Sequence, residues 1–382
     1  MSASALRGRP LRLLAISALA LTATLPAATA AQAAVPAPAA TAQTSSASSA
    51  SLASSASGDT ATTYRPDAAA AGWLARQLVN GDHFESVFDG TAYPDQGLTI
   101  DAVFAFAAAG SADQAAARAT AWLARPDILS GYLGDGTTEA YAGATAKLLL
   151  AAEVRGTAPS AFGGVDLPAR LRSLLTPSGR FSDRSQWGDY SNAFGQSLAL
   201  IALQRTPGGA PASAVDFLAA AQCADGGFPI AFGQATCTAD TDATALAAQA
   251  LAATGRSAKA KAGLDWLTAH QNTDGGFAAA GATTSNANST GLATSALLPG
   301  GRFISGLKGW SSLVKLQQGC SADPAVRGAV AYDASGFNPA NATRATAQAV
   351  LGLSGQGLAG LSAHGARPSA PTLACAAPAA RL

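Results

Sequence analysis

A segment that opens on a large apolar residue recurs along this chain at Trp73, Trp122, Leu171, Phe217, Trp266 and Leu313. The spacing stays close to about fifty residues, the length of two helices with their loops. A unit of that size cannot bury its apolar face alone, so the copies must stack on one another. Within each copy a first helix leads to a Gly-rich loop. A second, Ala-rich helix follows and ends near a glycine such as Gly110, Gly156, Gly208, Gly255 or Gly300.

Two copies preserve the pattern best. One runs Phe217-Leu218 to Gln222 and on through Asp225-Gly226-Gly227-Phe228; the other runs Trp266-Leu267 to Gln271 and on through Asp274-Gly275-Gly276-Phe277. In both, the apolar pair is expected to pack inward and the Gln to bond exposed backbone. Asp-Gly-Gly permits the positive φ that ends a helix. The second helices align on Asp242-x-Thr244, Asn288-x-Thr290 and Asn341-x-Thr343, with Gly97, Tyr141 and Ser191 near the same point in earlier copies. Short polar side chains there suit capping of the first helical turn. Glycosylation of the Asn-x-Thr triplets is the competing reading.

Small side chains let helices crowd around an axis, so the Ala-rich helices are expected to form an inner ring with the first helices outside it. The expected fold is therefore all-α, an α/α toroid of six helical hairpins. An open solenoid is the alternative, because hairpins must stack whether or not the last meets the first.

From about Tyr64 to Gly360 these hairpins resemble the prenyltransferase and squalene-oxidase repeat of terpenoid cyclases, protein prenyltransferase β subunits, complement thioester domains and cobalamin carriers. The segments Phe217–Phe228 and Trp266–Phe277 are similar to the QW motif of triterpene cyclases, with Phe at the closing Trp position. Asp240-Thr241-Asp242-Ala243-Thr244-Ala245 resembles the DxDD(T/S)A acid motif of class II terpene cyclases, which implies Asp242 as general acid and Asp240 as its partner. The sequence departs from that motif at Ala243, where the last Asp is expected. The zinc set of protein prenyltransferases is not matched, since His83, His270 and His364 lie in different units. Neither metal nor cofactor is expected.

The termini set the context. Arg7, Arg9 and Arg12, an apolar stretch from Leu11 to Leu25 and a small-residue cleavage site around Ala31-Gln32-Ala33 read as a signal peptide over residues 1–33. Residues 34–63 are almost entirely Ala, Ser, Thr, Pro and Gln, too poor in large apolar groups to order, and read as a tether. The toroid is expected over 64–360 and a tail over 361–382. A secreted, extracellular protein follows, with no stable membrane insertion after cleavage. With 24 Lys+Arg against 23 Asp+Glu, no basic surface for nucleic acid is expected. Cys223 and Cys237 flank one short loop, whose closure contributes roughly 3 kcal/mol, and Cys320 and Cys375 remain by elimination. Four cysteines admit other connectivities.

The most site-like loop is Trp187-Gly188-Asp189-Tyr190-Ser191-Asn192, which joins flat aromatic surface to hydrogen-bonding groups. With Tyr141, Asn288 and Asn341 it is expected to gather at one mouth of the barrel. The leading functional expectation is non-catalytic binding of a small molecule, lipid or glycan at that mouth. The alternative is a terpenoid-cyclase or prenyltransferase-like enzyme using Asp242 as general acid. A structural cell-envelope component is a third.

Overall fold

The computed structural model describes residues 61–375. The expected leader, almost all of the expected tether and the end of the expected tail, residues 1–60 and 376–382, lie outside the described residues.

Helical hairpins follow one another along the chain. The first joins α1 (Pro66–Arg76) to α2 (Gln96–Ala109), the second α3 (Asp113–Leu123) and α4 (Pro126–Leu133) to α5 (Ala142–Arg155), and the third α6 (Leu167–Arg172) to α7 (Ala193–Gln204). The fourth pairs α8 (Ala212–Ala220) with α9 (Thr241–Ala253), the fifth α10 (Ser257–Ala269) with α11 (Ala287–Leu297), and the sixth α12 (Phe303–Leu316) with α13 (Pro339–Ser354). Short strands are β1 (Thr62–Thr63), β2 (Glu85–Phe88), β3 (Thr91–Pro94) and β4 (Thr372–Leu373). β2 and β3 form an antiparallel hairpin, and β1 runs parallel to β4.

Burial separates the two helix sets. α9 is buried on every side from Thr241 to Leu251. α10 buries only the stripe Ala260, Gly263, Leu264, Trp266 and Leu267, as an outer helix does. The second helices α2, α5, α7, α9, α11 and α13 touch in that order, and α13 packs back on α2, so the inner ring closes. The fold is the α/α toroid expected from the repeat.

One bond recurs between outer helices and carries the closure. Gln222 donates to Gly226 O and to Lys259 O of α10, and Gln271 donates to Gly275 O and to Ser305 O of α12, all at 2.8 or 2.9 Å. Gln317 repeats the contact at the seam, donating to Pro66 O of α1 at 2.8 Å. The indole of Trp266 adds a bond to Asp225 Oδ2 at 2.9 Å, tying the fifth hairpin to the fourth.

Helix starts correct the expectation in detail. The caps are Asp240, Asn286 and Asn338, which accept from Ala243, Ser289 and Ala340 N–H, so Asp242, Asn288 and Asn341 do not cap. They lie inside the first turn. The repeated Thr does something else, since Thr244, Thr290 and Thr346 accept the N–H of Phe228, Phe277 and Val330 at 2.8 to 2.9 Å. Thr99 does the same for Phe84, and Gln196 stands in for it at Phe181. By this contact the sixth copy aligns on Arg344-x-Thr346, not Asn341-x-Thr343, because α13 begins one turn earlier than its counterparts. Phe217 also departs from expectation. It is half-buried against Phe232, and Leu218 is the residue that packs inward.

Both disulfides pair as expected, Cys223 with Cys237 and Cys320 with Cys375, each with Cα atoms 5.6 Å apart. After α13 the chain crosses the far end of the ring as a strap. Leu358 N–H donates to Gln249 Oε1 of α9, Ala363 N–H to Val154 O of α5, and Arg367 N–H to Gly110 O behind α2. β4 then pairs with β1 and Cys375 bonds Cys320, pinning the strap's end.

Candidate functional site

The inner helices all begin at one end of the toroid, so their leading loops crowd a single mouth. Two residues past their caps stand Gly97, Gly143, Phe194, Asp242 and Asn288; the Thr contacts place Arg344 at this level on α13. Four residues further, Asp101, Lys147, Leu198, Leu246, Leu292 and Gln348 line a cavity on the axis of ≈ 20 Å³. Residues four apart share a helix face, so the upper set looks onto the same axis. A cavity of that size holds about one water. Leu358 of the strap helps close it.

The axis is divided chemically. Leu198, Leu246 and Leu292 fill one half. In the other, Lys147 Nζ meets Asp101 Oδ1 at 2.6 Å and donates to Gly97 O at 3.0 Å, with both charges buried. Among the described residues, Asp101 Oδ2 and Gln348 Oε1 beside this pair have no hydrogen-bond partner. Sequence reasoning passed over Asp101 and Lys147. The signal that could have found them was a charge inside otherwise apolar inner helices, at Asp101 in α2 and Lys147 in α5.

Asp242 is the most perturbed group at the mouth. Only 2% of it is exposed, and among the described residues nothing bonds its Oδ1. Burial first, then the neighbouring Asp240 carboxylate, pushes the Asp242 carboxyl up to about 8, against the Ser289 hydroxyl on α11, which pulls it down. Asp240 is also raised by burial. It nonetheless accepts N–H bonds from Ala243 at 2.7 Å and Ala280 at 3.1 Å, which favour its charged form. Of the two, Asp242 is the carboxyl that holds a proton more readily, since Asp240 has N–H bonds that favour its charge. Burial, with the Asp242 charge second, raises the phenol of Tyr332. Asn288, 3% exposed, has an unpartnered Oδ1 among the described residues.

The remaining expected site residues are distributed as follows. Asn341 lies one turn above the Asp242 layer on α13, and its Oδ1 is also unpartnered among the described residues. Asn192 caps α7, accepting from Phe194 and Gly195 N–H. Asp189 builds a turn, accepting from Asp183 and Ser191 N–H and meeting Arg180 at 3.1 Å. Tyr141 donates its hydroxyl to Glu139 at 2.9 Å. Trp187 and Tyr190 are 40% and 57% exposed in a loop that bonds to the start of α5 through Asp183 and Ala142. The structure thus brings Asp240, Asp242 and Asn288 together and leaves the aromatic loop over another sector of the ring.

No family model and no curated protein matches this sequence. Solved structures share its fold. The type II terpene cyclase MstE from Scytonema superposes with a TM-score of 0.58 at 15% identity, over 76% of this chain and 96% of the cyclase. A substituted form of it bound to geranylgeranyl dihydroxybenzoate gives 0.56 at 16% identity, over 76% and 95%. A protein from Actinoplanes gives 0.54 at 16%, over 76% and 98%. The chain therefore shares the α/α-toroid fold of these structures. Identity this low speaks to fold alone. Among the described residues no helix is long and apolar enough to cross a membrane, and no group of three or more His, Cys, Asp or Glu is placed to hold a metal ion.

Proposed function

We propose that this chain is exported and that the mouth of its inner ring binds a small uncharged molecule to which Asp242 presents a proton. The carrying observation is the Asp242 carboxyl, buried without a partner for Oδ1 among the described residues and raised to about 8. A carboxylic acid kept neutral in an apolar site donates a hydrogen bond that a carboxylate cannot. The leader-like N-terminus and the two disulfides support export. The balanced charge supports a small molecule, lipid or glycan over nucleic acid.

A second reading is an enzyme of the terpenoid-cyclase type, in which the same proton is transferred to the substrate. The match of Asp240-Thr241-Asp242 to an acid motif supports it, as do the activities of solved structures in this fold. Ala243, where that motif has its last Asp, supports binding without transfer.

One experiment separates the two. Purified protein and Asp242→Asn are incubated with polyprenyl alcohols, their epoxides and geranylgeranyl dihydroxybenzoate, then with culture lipids, glycans and corrinoids. Native mass spectrometry follows binding and chromatography follows products. Product that Asp242→Asn abolishes establishes the enzyme. Unchanged compound retained by the wild type and lost from the variant establishes the binder, and no retention by either form overturns both.

A further inference from the structure

Ring order decides what stands across the mouth from the two buried polar side chains. In a closed ring of α2, α5, α7, α9, α11 and α13, Gly97 is opposite Asp242 and Gly143 is opposite Asn288. A Cβ added at Gly143 would meet only Gly195 Cα, at 3.7 Å. Two side chains, each with one oxygen that has no partner among the described residues, therefore stand across from two positions that have no side chain. Phe194 and Arg344 close the layer on the remaining sides, and Arg344 is already committed to Asp95 at 2.7 Å.

The hydrogen-bonding inventory of this layer is specific. Among the described residues no cation or N–H reaches Asp242 Oδ1, so the buried carboxyl holds its proton and offers a donor. Asn288 Oδ1 on the adjacent helix offers an acceptor. A hydrocarbon seated here would leave both groups unsatisfied, which disfavours it. A phosphate or carboxylate would add charge beside Asp240.

We propose that Asp242 and Asn288 together read one planar edge of the ligand, a carbonyl oxygen beside an N–H, as presented by a primary carboxamide or a lactam. The carbonyl accepts from Asp242 and the N–H donates to Asn288, while the ring or chain bearing the amide lies toward Phe194 over Gly97 and Gly143. This rests on the mouth being the ligand site. It names the chemistry that the site selects.

The test uses benzamide as probe and N,N-dimethylbenzamide and ethylbenzene as controls, with binding to the whole protein followed by saturation-transfer NMR. Benzamide is expected to bind at least tenfold more tightly than either control. Asn288→Leu is expected to abolish that preference while its melting temperature stays equal or rises, since an unpartnered polar atom is removed. Gly143→Leu is expected to block benzamide by placing a bulky side chain across from Asn288, whereas Gly143→Ala keeps binding and verifies that the helix tolerates substitution. Equal affinity for benzamide and its dimethyl derivative, no benzamide binding at millimolar concentration, or an unchanged preference in Asn288→Leu overturns the proposal. Retention of a culture compound that depends on Asp242 but not on Asn288 overturns the amide edge alone and leaves the mouth as a binding site.

Discussion

Arg344 reaches from the last inner helix to Asp95 at the start of the first, guanidinium to carboxylate at 2.7 Å. Asp95 is only 7% exposed at its side chain, and it also caps α2 and accepts from the Ser86 hydroxyl. The ion pair thus sits on the one seam of the ring that no hairpin connection spans.

Loss of that pair should loosen the closure. Arg344→Ala is expected to lower stability by about 2 kcal/mol, the scale of a hydrogen bond to a charged group. Urea unfolding measures it. Arg125→Ala, which breaks a pair exposed on both sides, serves as control with no measurable change expected. Equal effects for the two would show that the seam contact contributes nothing to closure.

The register of the sixth hairpin gives a sharper contrast. Thr346→Val keeps the shape but leaves the buried Val330 N–H without its acceptor, and about 1–3 kcal/mol should be lost. Thr343 has no such bond and is half-exposed, so Thr343→Val should change stability by less than about 0.5 kcal/mol. Denaturation curves in which the two variants exchange ranks would restore the alignment on Asn341-x-Thr343.

Asp242 gives stability a pH dependence. Its folded pKa, about 8, lies above the ordinary carboxylate value of 3.8, so between those limits the folded state binds a proton that the unfolded state releases. Its effect on stability is most favourable below the unfolded pKa and is lost as pH rises through the folded one. Melting temperature should therefore fall from pH 5 to pH 9 more steeply in the wild type than in Asp242→Asn, and the variant should be the more stable at pH 9. Scanning calorimetry across that range checks the slope; parallel curves would assign the proton elsewhere.

The two disulfides should differ in weight. Cys320–Cys375 closes a separation of 55 residues and Cys223–Cys237 one of 14. Chain entropy assigns them about 4 and about 3 kcal/mol. Replacing Cys320 and Cys375 together by Ser should cost more, and it should raise hydrogen exchange in the strap at Ala363 and Arg367 while sparing α9 and α10. Protection unchanged in the strap would show that its backbone bonds hold it without the covalent latch.

Much of this architecture was legible in residue order. Trp73, Trp122 and Trp266 marked outer helices, the Ala-rich runs marked inner ones, and Gln222 and Gln271 marked bonds to exposed backbone, of which the structure adds those to the next outer helix. Gln317 carries the same bond but sits in a copy without Asp-Gly-Gly, so its role emerged only when Pro66 came within reach. Asn341 was misaligned for a related reason. Its triplet imitates Asp242-x-Thr244 in letters, while the hydroxyl that makes the bond belongs to Thr346, one turn on. Trp187, Asp189 and Tyr190 share a loop by adjacency in the chain, and Asp189 braces that loop through Asp183, Ser191 and Arg180.

Local pattern alone determined the helices, their pairing and the choice of small residues for the hub, because periodicity and side-chain size act within a few turns of chain. Tertiary structure decided that the ring shuts, that Lys147 neutralises Asp101 inside it, and that glycines stand across from Asp242 and Asn288. These are relations between segments remote in sequence, and each energy depends on burial and distance, which exist only once the circle has formed.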